Sequence, residues 1–349
     1  MSKAVNLGTL ADDISVSNGK ANLSGISLTP GSAPSSPVQG DIYLDSSDYN
    51  LKIWTGGFWK DIVNASPSFS VDYLVVAGGG GGGGNLGGGG GAGGFLEILN
   101  TTLAINELYT VTVGSGGAGN TDNSVGTKGQ DTIFYTSRAY GGGGGAGDAT
   151  SNGDDGLNGG SGGGSRSATG TIGGVGVYVG SSYIDSARQG YDGGSAIASG
   201  SYRQASSGGG GAGGAGQTAS STPSGGNGGV SKLSTITGIK YAGGGGGGGN
   251  GNGSGLGGGT STTADKGGGG DGGNGSGANG WDGAANTGGG GGGSGIVGGD
   301  GGNGGDGVVI LRYPANLTIS QTGLTISTTT VGSNKVTTIT QGTGTVSWS

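Results

Sequence analysis

Two apolar runs, VDYLVVA at 71–77 and GVVILRY at 307–313, stand at the ends of a long stretch with almost no hydrophobic pattern. β-Branched runs of this kind predict strands, and their bracketing position predicts that the two are neighbours closing one domain. FLEILN at 95–100 and LYTVTVG at 108–114 read as further short strands. Residues 315–349 alternate with period two in Thr, Val and Ile, which predicts a β extension. Near the other terminus, DISVSNGKANLSG alternates weakly about Asn18-Gly19, a type I′ hairpin signal. GDIYLDSSDYNLKIWTGGFWKDI, 40–62, carries apolar residues at Ile42, Leu44, Leu51 and Ile53, then turns at Gly56-Gly57 into Phe58 and Trp59. It predicts a compact β meander with Trp54 and Trp59 packed inside. No helical period appears anywhere.

Pro30, Pro34 and Pro37 mark a linker, and Pro67 and Pro314 fall where composition changes. Four parts follow: 1–36, a β element and linker; 37–66, the meander; 67–314, glycine-rich; and 315–349, the extension. The fold class expected is irregular to all-β, with essentially no α-helix.

Composition changes the picture of the middle. With 102 glycines in 349 residues and only 30% hydrophobic residues, no ordinary apolar core spans the chain. There is no cysteine and no histidine. Disulfides, thiolate and imidazole chemistry and the common zinc ligand sets are thereby removed. The net charge of −7 argues against a nucleic-acid partner, whose binding rests on clustered Lys and Arg. No window reaches the roughly 18 to 20 apolar residues of a membrane span. The N-terminus lacks the apolar core of a secretory signal, so neither membrane embedding nor Sec export is expected.

Glycine loses more freedom on folding than any other residue, so something other than side chains must order these runs. A flexible linker fits poorly, because the runs recur at intervals and the loops between them carry Tyr, Trp and Phe. Collagen fails for want of a Gly-X-Y period. What remains is the left-handed threefold extended helix, whose peptide groups all point sideways. Helices of this polyglycine-II kind satisfy one another's peptide groups only where no Cβ separates the backbones. An outer helix can then carry one side chain every third residue, and an inner helix none. GGDGGNGGDG, 298–307, with Asp300, Asn303 and Asp306 at period three, reads as outer, as does GGNGGV from Gly225. Gly243 to Gly249, including Gly246, and Gly288 to Gly293 read as interior. A seven-residue run spans about 22 Å, the expected thickness of the sandwich.

Candidate chemistry is sparse. G-x-G-x-x-G arises by chance in such a chain, and no phosphate loop of G-K-[ST] type occurs. GGSGG around Ser161 fits a nucleophile elbow formally, but no histidine exists to serve as base. GGNGGDGVV, 301–309, fits one nonapeptide of a calcium-binding β-roll through Asp306, whereas such sites need tandem copies. No catalysis, cofactor or metal site is expected, and structural calcium stays open.

The ordered succession YLVVAGGGGGG, YTVTVG, YGGGGG, YAGGGGG and GVVILRY resembles the glycine-rich domain of phage tail-tip adhesins and tail fibres. The segment 40–59 is similar to a short motif of phage tail-fibre proteins. The resemblance implies a layered polyglycine-II sandwich whose loops at one end recognise a bacterial surface receptor, either polysaccharide or outer-membrane protein. It also implies a virion tail location, outside the cell after lysis, contacts with other virion proteins, and a homotrimer.

VYVGSSYIDSARQGYDGGSAIASGSYRQASS, 177–207, has the Tyr, Ser, Gly and Arg composition of antibody binding loops. Tyr178, Tyr183, Tyr191 and Tyr202 could stack on a sugar face while Asp185, Arg188 and Arg203 meet its polar groups. The bland alternative is that each tyrosine merely covers the flank of the glycine layers. Trp281, alone between two glycine runs, completes the binding candidates as an exposed loop tip. Two other classes stay open: a structural filament or decoration subunit without receptor binding, and an ice- or surface-binding glycine-helix protein.

Overall fold

The computed structural model describes residues 15–17, 20–22, 31–45, 47, 51–62, 68–121, 124–148, 155–166, 171–177, 188–195, 205–219, 224–251, 253–263 and 265–349. The chain divides into two compact units, Met1–Pro67 and Ser68–Ser349. Among the described residues there is no α-helix; the one helical turn is a 3₁₀ turn at Gly257–Gly259. The fold is all-β in its regular elements, as the sequence predicts.

In the first unit, β1 (Ser15–Ser17) and β2 (Lys20–Asn22) pair antiparallel, and their connection at Asn18-Gly19 lies outside the described residues. The predicted meander is present as β3 (Ile42–Leu44), β4 (Leu51–Trp54) and β5 (Trp59–Asp61). Trp54 faces Trp59 across the turn, and the Trp59 ring stands edge-on to Tyr43 at 4.5 Å. Lys52 Nζ reaches the Asp61 carboxylate at 2.7 Å. Hydrogen bonds from Ser47, first of all its hydroxyl, hold the Asp45 carboxyl far below the usual carboxylate range.

The second unit carries β6 (Ser68–Val76), β7 (Phe95–Ala104), β8 (Tyr109–Thr112), β9 (Thr132–Phe134), β10 (Ser137–Ala139), β11 (Lys232–Leu233), β12 (Lys240–Tyr241), β13 (Val308–Pro314), β14 (Ile319–Val331) and β15 (Asn334–Trp348). The two bracketing apolar runs do pair: β13 lies antiparallel to β6 with Val308 opposite Val76. β15 is the organiser of the sheet. Along one edge it holds β14, and along the other it pairs first with β13 and then with β8. The 315–349 segment is thus built into the sheet of its own chain.

The sheet folds back on itself, so that Tyr73 of β6 meets Phe134 of β9 edge-on at 4.9 Å. Val71, Tyr73, Val75, Leu311, Tyr313, Ile339 and Trp348 fill the enclosed core. Leu74, Val76, Val308 and Ile310 point to the opposite face, where the glycine-rich part begins. Strands buried on both faces need no alternation, which is why β6 and β13 read as continuous apolar runs.

The glycine runs that continue from these strands are neither coil nor pleated strand. Gly78, Gly81 and Gly84 donate their N–H groups to the carbonyls of Gln130, Thr127 and Ser124. Gly79 and Gly82 donate to Gly305 and Gly302, and Gly80 and Gly83 to Gly91 and Gly88. Every third residue returns to the same neighbour, so the backbone is a threefold extended helix. Its carbonyls accept from three further stretches: Gly142 and Gly145, Gly117 and Asn120, and Gly291 and Ser294. Each helix of the interior is bonded on six sides.

Residues 87–94 occupy the centre. Their N–H groups go to 141–146, 206–211 and 288–295, and their carbonyls accept from 77–84, 160–165 and 243–249. Those six stretches also bond to one another in a closed ring; for example, Gly290 donates to Gly243 and Gly209 to Gly245. The layers expected of a polyglycine-II sandwich are the rows of this hexagonal lattice, gathered round one central helix. Backbone hydrogen bonds here take the role of an apolar core. A Cβ placed on Gly246 would collide with the carbonyl oxygen of Gly255, and one on Gly89 with that of Gly245. Gly243, Gly249, Gly288 and Gly293 are likewise buried, as their side-chain-free runs predict.

One expectation fails at the centre. An interior helix was to carry no side chain, yet Ala92 of the central helix is fully buried. Its methyl joins Leu74, Val76, Phe95 and Ala242 where the bundle meets the sheet. Side chains, in place of further backbones, surround that end of the helix, which leaves room for a Cβ.

Outer helices lack backbone partners on their outward side. The period-three polar residues supply them: Gly116 N–H donates to Asp306 Oδ1 at 2.8 Å and Gly119 N–H to Asn303 Oδ1 at 2.9 Å. The same staple recurs from Ile172 to Asp155, from Gly176 to Asp192, from Leu256 to Asn227 and from Asn303 to Asp282.

Candidate functional site

The bundle has two unlike ends. At the sheet end, β6 runs into 77–84 and 87–94 runs into β7. At the other, the turn end, Asn85 and Leu86 link those helices, both with φ of 53°. Leu86 is buried and donates its N–H to Gly295 O at 2.8 Å. Beside it Val297 has φ of 49°, its side chain is exposed, and its N–H donates to Asn85 Oδ1 at 3.0 Å. A β-branched residue in the left-handed region is uncommon and held only by its surroundings. Asp148 also reaches this end, where one carboxylate oxygen accepts from Asn85 Nδ2 at 2.9 Å and the other pairs with the buried Arg166.

The Tyr- and Arg-rich stretch does not form one surface at its described anchors. Val177 donates to the carbonyls of Gly159 and Gly160, and Gln189 O accepts the N–H of Phe95 at the start of β7. Gln189, almost fully buried, also ties Arg138 O and Tyr140 N–H through its amide. The connection containing Tyr178, Tyr183 and Asp185 is therefore anchored at the sheet end. Residues 189–194 then cross the bundle. At the far end, Gly173 N–H donates to Ser195 Oγ, and Ser206 Oγ donates to Leu86 O. The connection containing Tyr202 and Arg203 is anchored there, at the turn end. Those five residues themselves lie outside the described ones. Of the described pair, the Arg188 guanidinium stacks over the Tyr191 ring at 4.3 Å.

Trp281 is not a loop tip. Its N–H donates to Asp271 O and its carbonyl accepts from Gly292 N–H, both at 2.8 Å, so it sits within an outer helix. The residue is nevertheless 71% exposed. It borders a cleft of about 340 Å³ lined also by Ile239, Lys240, Lys266, Asp271 and Asp282. Lys240 pairs with Asp265 at 2.6 Å and Lys266 with Asp271 at 2.5 Å. Sequence reasoning reached Trp281 but not the lysines and aspartates round it, which come from three stretches of chain, at 240, 265–271 and 282.

Ser161 is fully buried inside the bundle, and its Oγ has no hydrogen-bond partner among the described residues. A substrate has no access to it. Asp306, the acidic residue of the nonapeptide match, is occupied as a rim staple. Among the described residues no group of three or more acidic, His or Cys side chains could hold a metal ion. No described helix is long and apolar enough to cross a membrane.

Compared with curated proteins, the chain finds no match. Residues 60–314, from β5 through β13, match the family model described as a glycine-rich domain, and the chain belongs to that family.

Proposed function

We propose that this chain is a phage virion protein, a tail-fibre or receptor-binding subunit that recognises a bacterial surface receptor. The observation that carries the reading is the asymmetry of the bundle. One end is closed by a packed sheet, while the other gathers the Asn85-Leu86 turn, the strained Val297 turn and the anchors of the Tyr202–Arg203 connection. Rigid helices bonded on six sides make a scaffold that holds such loops in fixed relation, as recognition loops require. Sequence resemblance to phage adhesins supplies the partner: a surface polysaccharide or outer-membrane protein, met by a homotrimer mounted with other virion proteins on the tail.

Purified, fluorescently labelled protein tested against a panel of bacterial cells decides it. Saturable binding to a susceptible strain, competed by unlabelled protein, is the expected result. Failure to bind any strain, together with self-assembly into filaments, favours a structural subunit in its place.

A further inference from the structure

Asn279 and Asp282, on the same outer helix as Trp281, spend their side chains on the bundle: Asn279 Oδ1 accepts Asp300 N–H and Asp282 Oδ1 accepts Asn303 N–H. Trp281 contributes only its backbone. Its indole forms no hydrogen bond or ring contact among the described residues and leaves most of its surface to water. A large aromatic face open to solvent beside a cleft is the arrangement of a binding platform, since the position asks nothing of its side chain structurally.

The surroundings name the ligand class. Both cleft lysines have a carboxylate partner, so the cleft offers no unbalanced positive charge to an anion. Asp282 Oδ2 has no partner among the described residues, and the Thr263 hydroxyl forms no hydrogen bond among them; each lysine ammonium keeps further protons to donate. An apolar flat face flanked by balanced donors and acceptors suits a ring with C–H bonds on one side and hydroxyls at its edge. The volume, about 340 Å³, lies in the range of small-ligand clefts. We infer that the cleft beside Trp281 is a binding subsite for a neutral pyranose unit of a surface glycan. This deepens the reading of the chain as a receptor-binding protein and rests on it for the source of the sugar.

The test uses the full-length ¹⁵N-labelled protein and follows the Trp281 indole N–H resonance, assigned with Trp281→Phe. The probes are methyl glucoside, methyl galactoside, N-acetylglucosamine and, as the anionic comparison, N-acetylneuraminic acid. A saturable shift with at least one neutral sugar is expected. It should weaken at least about tenfold in Trp281→Ala, as for loss of an aromatic anchor. Asp282→Asn keeps the staple oxygen and should weaken binding more modestly with the backbone spectrum unchanged. The inference is overturned if no neutral probe gives a saturable shift, if the shift survives Trp281→Ala, or if only the anionic sugar binds. Sugar binding without adsorption to any cell would sink the adhesin reading and leave the cleft standing; adsorption unaffected by Trp281→Ala, with no sugar bound, would do the reverse.

Discussion

Asn303 Oδ1 accepts the Gly119 N–H at 2.9 Å across 184 positions of sequence, at the place where another helix would supply a carbonyl if the lattice continued outward. Asp306 does the same for Gly116, one threefold turn away. The polar residues at period three close the rim of a hydrogen-bonded solid. Asn303→Ala should lower the unfolding free energy by about 1 kcal/mol, the net worth of one such bond. Asn303→Asp, which keeps an acceptor oxygen, should cost less. Denaturant titration with both variants checks this; equal losses would mean that the side chain does not act through its acceptor.

The interior tolerates far less. Gly246→Ala would press a methyl onto the Gly255 carbonyl and separate backbones whose peptide groups have no other partner. Each stranded buried group costs about 1 to 3 kcal/mol, and several are affected together, so the variant should fail to fold. Gly214→Ala is the comparison. There the nearest atom to a new Cβ is a Val230 methyl at 3.0 Å, the end of a side chain that can move. Circular dichroism and gel filtration should report a folded Gly214→Ala and an aggregated Gly246→Ala.

How far these features could be read in the sequence follows from what each depends on. The β6–β13 pair was legible because two-sided burial leaves continuous apolar runs. The helix at 243–249 was legible because a side-chain-free run suits a place surrounded by backbone, and so was the run from Gly289 to Gly293; Gly288, read with it, has a φ of 67° and belongs to the turn that precedes the helix. The central helix was not, since Ala92 breaks its run, and only the adjoining sheet explains why a methyl fits. Period three at Asp300, Asn303 and Asp306 marks an outer face, but a partner some 184 positions distant leaves no local trace. For the binding candidates, residues 189–194 form a complete traverse and separate the described anchors of their two connections, a division that adjacency in sequence does not reveal. For Trp281, the phase lies in Asn279 and Asp282, three residues apart and both rim staples, but a single such interval is too short to tell a helix from a turn.

Alkaline pH should weaken the sheet core. Burial pushes the Tyr313 hydroxyl above its ordinary value of 10.0, and it does the same to Tyr241. The folded chain therefore holds these protons after the unfolded chain has released them. Their contribution is fully present below about pH 10 and is lost as pH rises toward the elevated values. Thermal stability should be flat with respect to these groups near neutrality and fall above about pH 10. Tyr313→Phe should make the fall shallower. It removes a hydroxyl bonded to Thr337 Oγ1 at 2.9 Å, while Thr337 keeps Thr328 at 2.7 Å, so the loss at neutral pH should be only about 1 kcal/mol.

Trp348, next to the last residue, anchors that core. Its ring lies 5.0 Å from Phe69, 5.6 Å from Tyr313 and 5.7 Å from Tyr109, and it is 1% exposed. Phe69 belongs to β6, which opens the unit, so the indole ties the end of the unit to its beginning. Trp348→Ala should cost about 3 to 5 kcal/mol, the range for emptying a buried aromatic site. Gly246→Ala should act through the bundle and Trp348→Ala through the sheet. Hydrogen exchange on Trp348→Ala tests this: loss of Trp348 should speed exchange first at β13 and β15, with the amides of 243–249 protected longer. Equal loss of protection in both regions would mean that sheet and bundle unfold as one cooperative block and that the sheet is no separate stabilising element.

If recognition takes place at the turn end, the two groups of candidates must behave differently. Tyr202→Ala with Arg203→Ala alters a connection anchored beside Leu86, whereas Tyr191 is engaged by Arg188 near the sheet end. The first double variant should reduce cell-bound protein by at least about tenfold, the effect of removing aromatic and arginine anchors. Tyr191→Ala should leave it within about twofold, because what it loses is a contact inside the chain. Both proteins should melt at nearly the parent temperature, since neither substitution touches a glycine bonded on six sides. The opposite pattern, with adsorption lost only in Tyr191→Ala, would move recognition to the sheet end. The strained turns at Asn85-Leu86 and Val297 would then have to be explained by packing of the bundle alone.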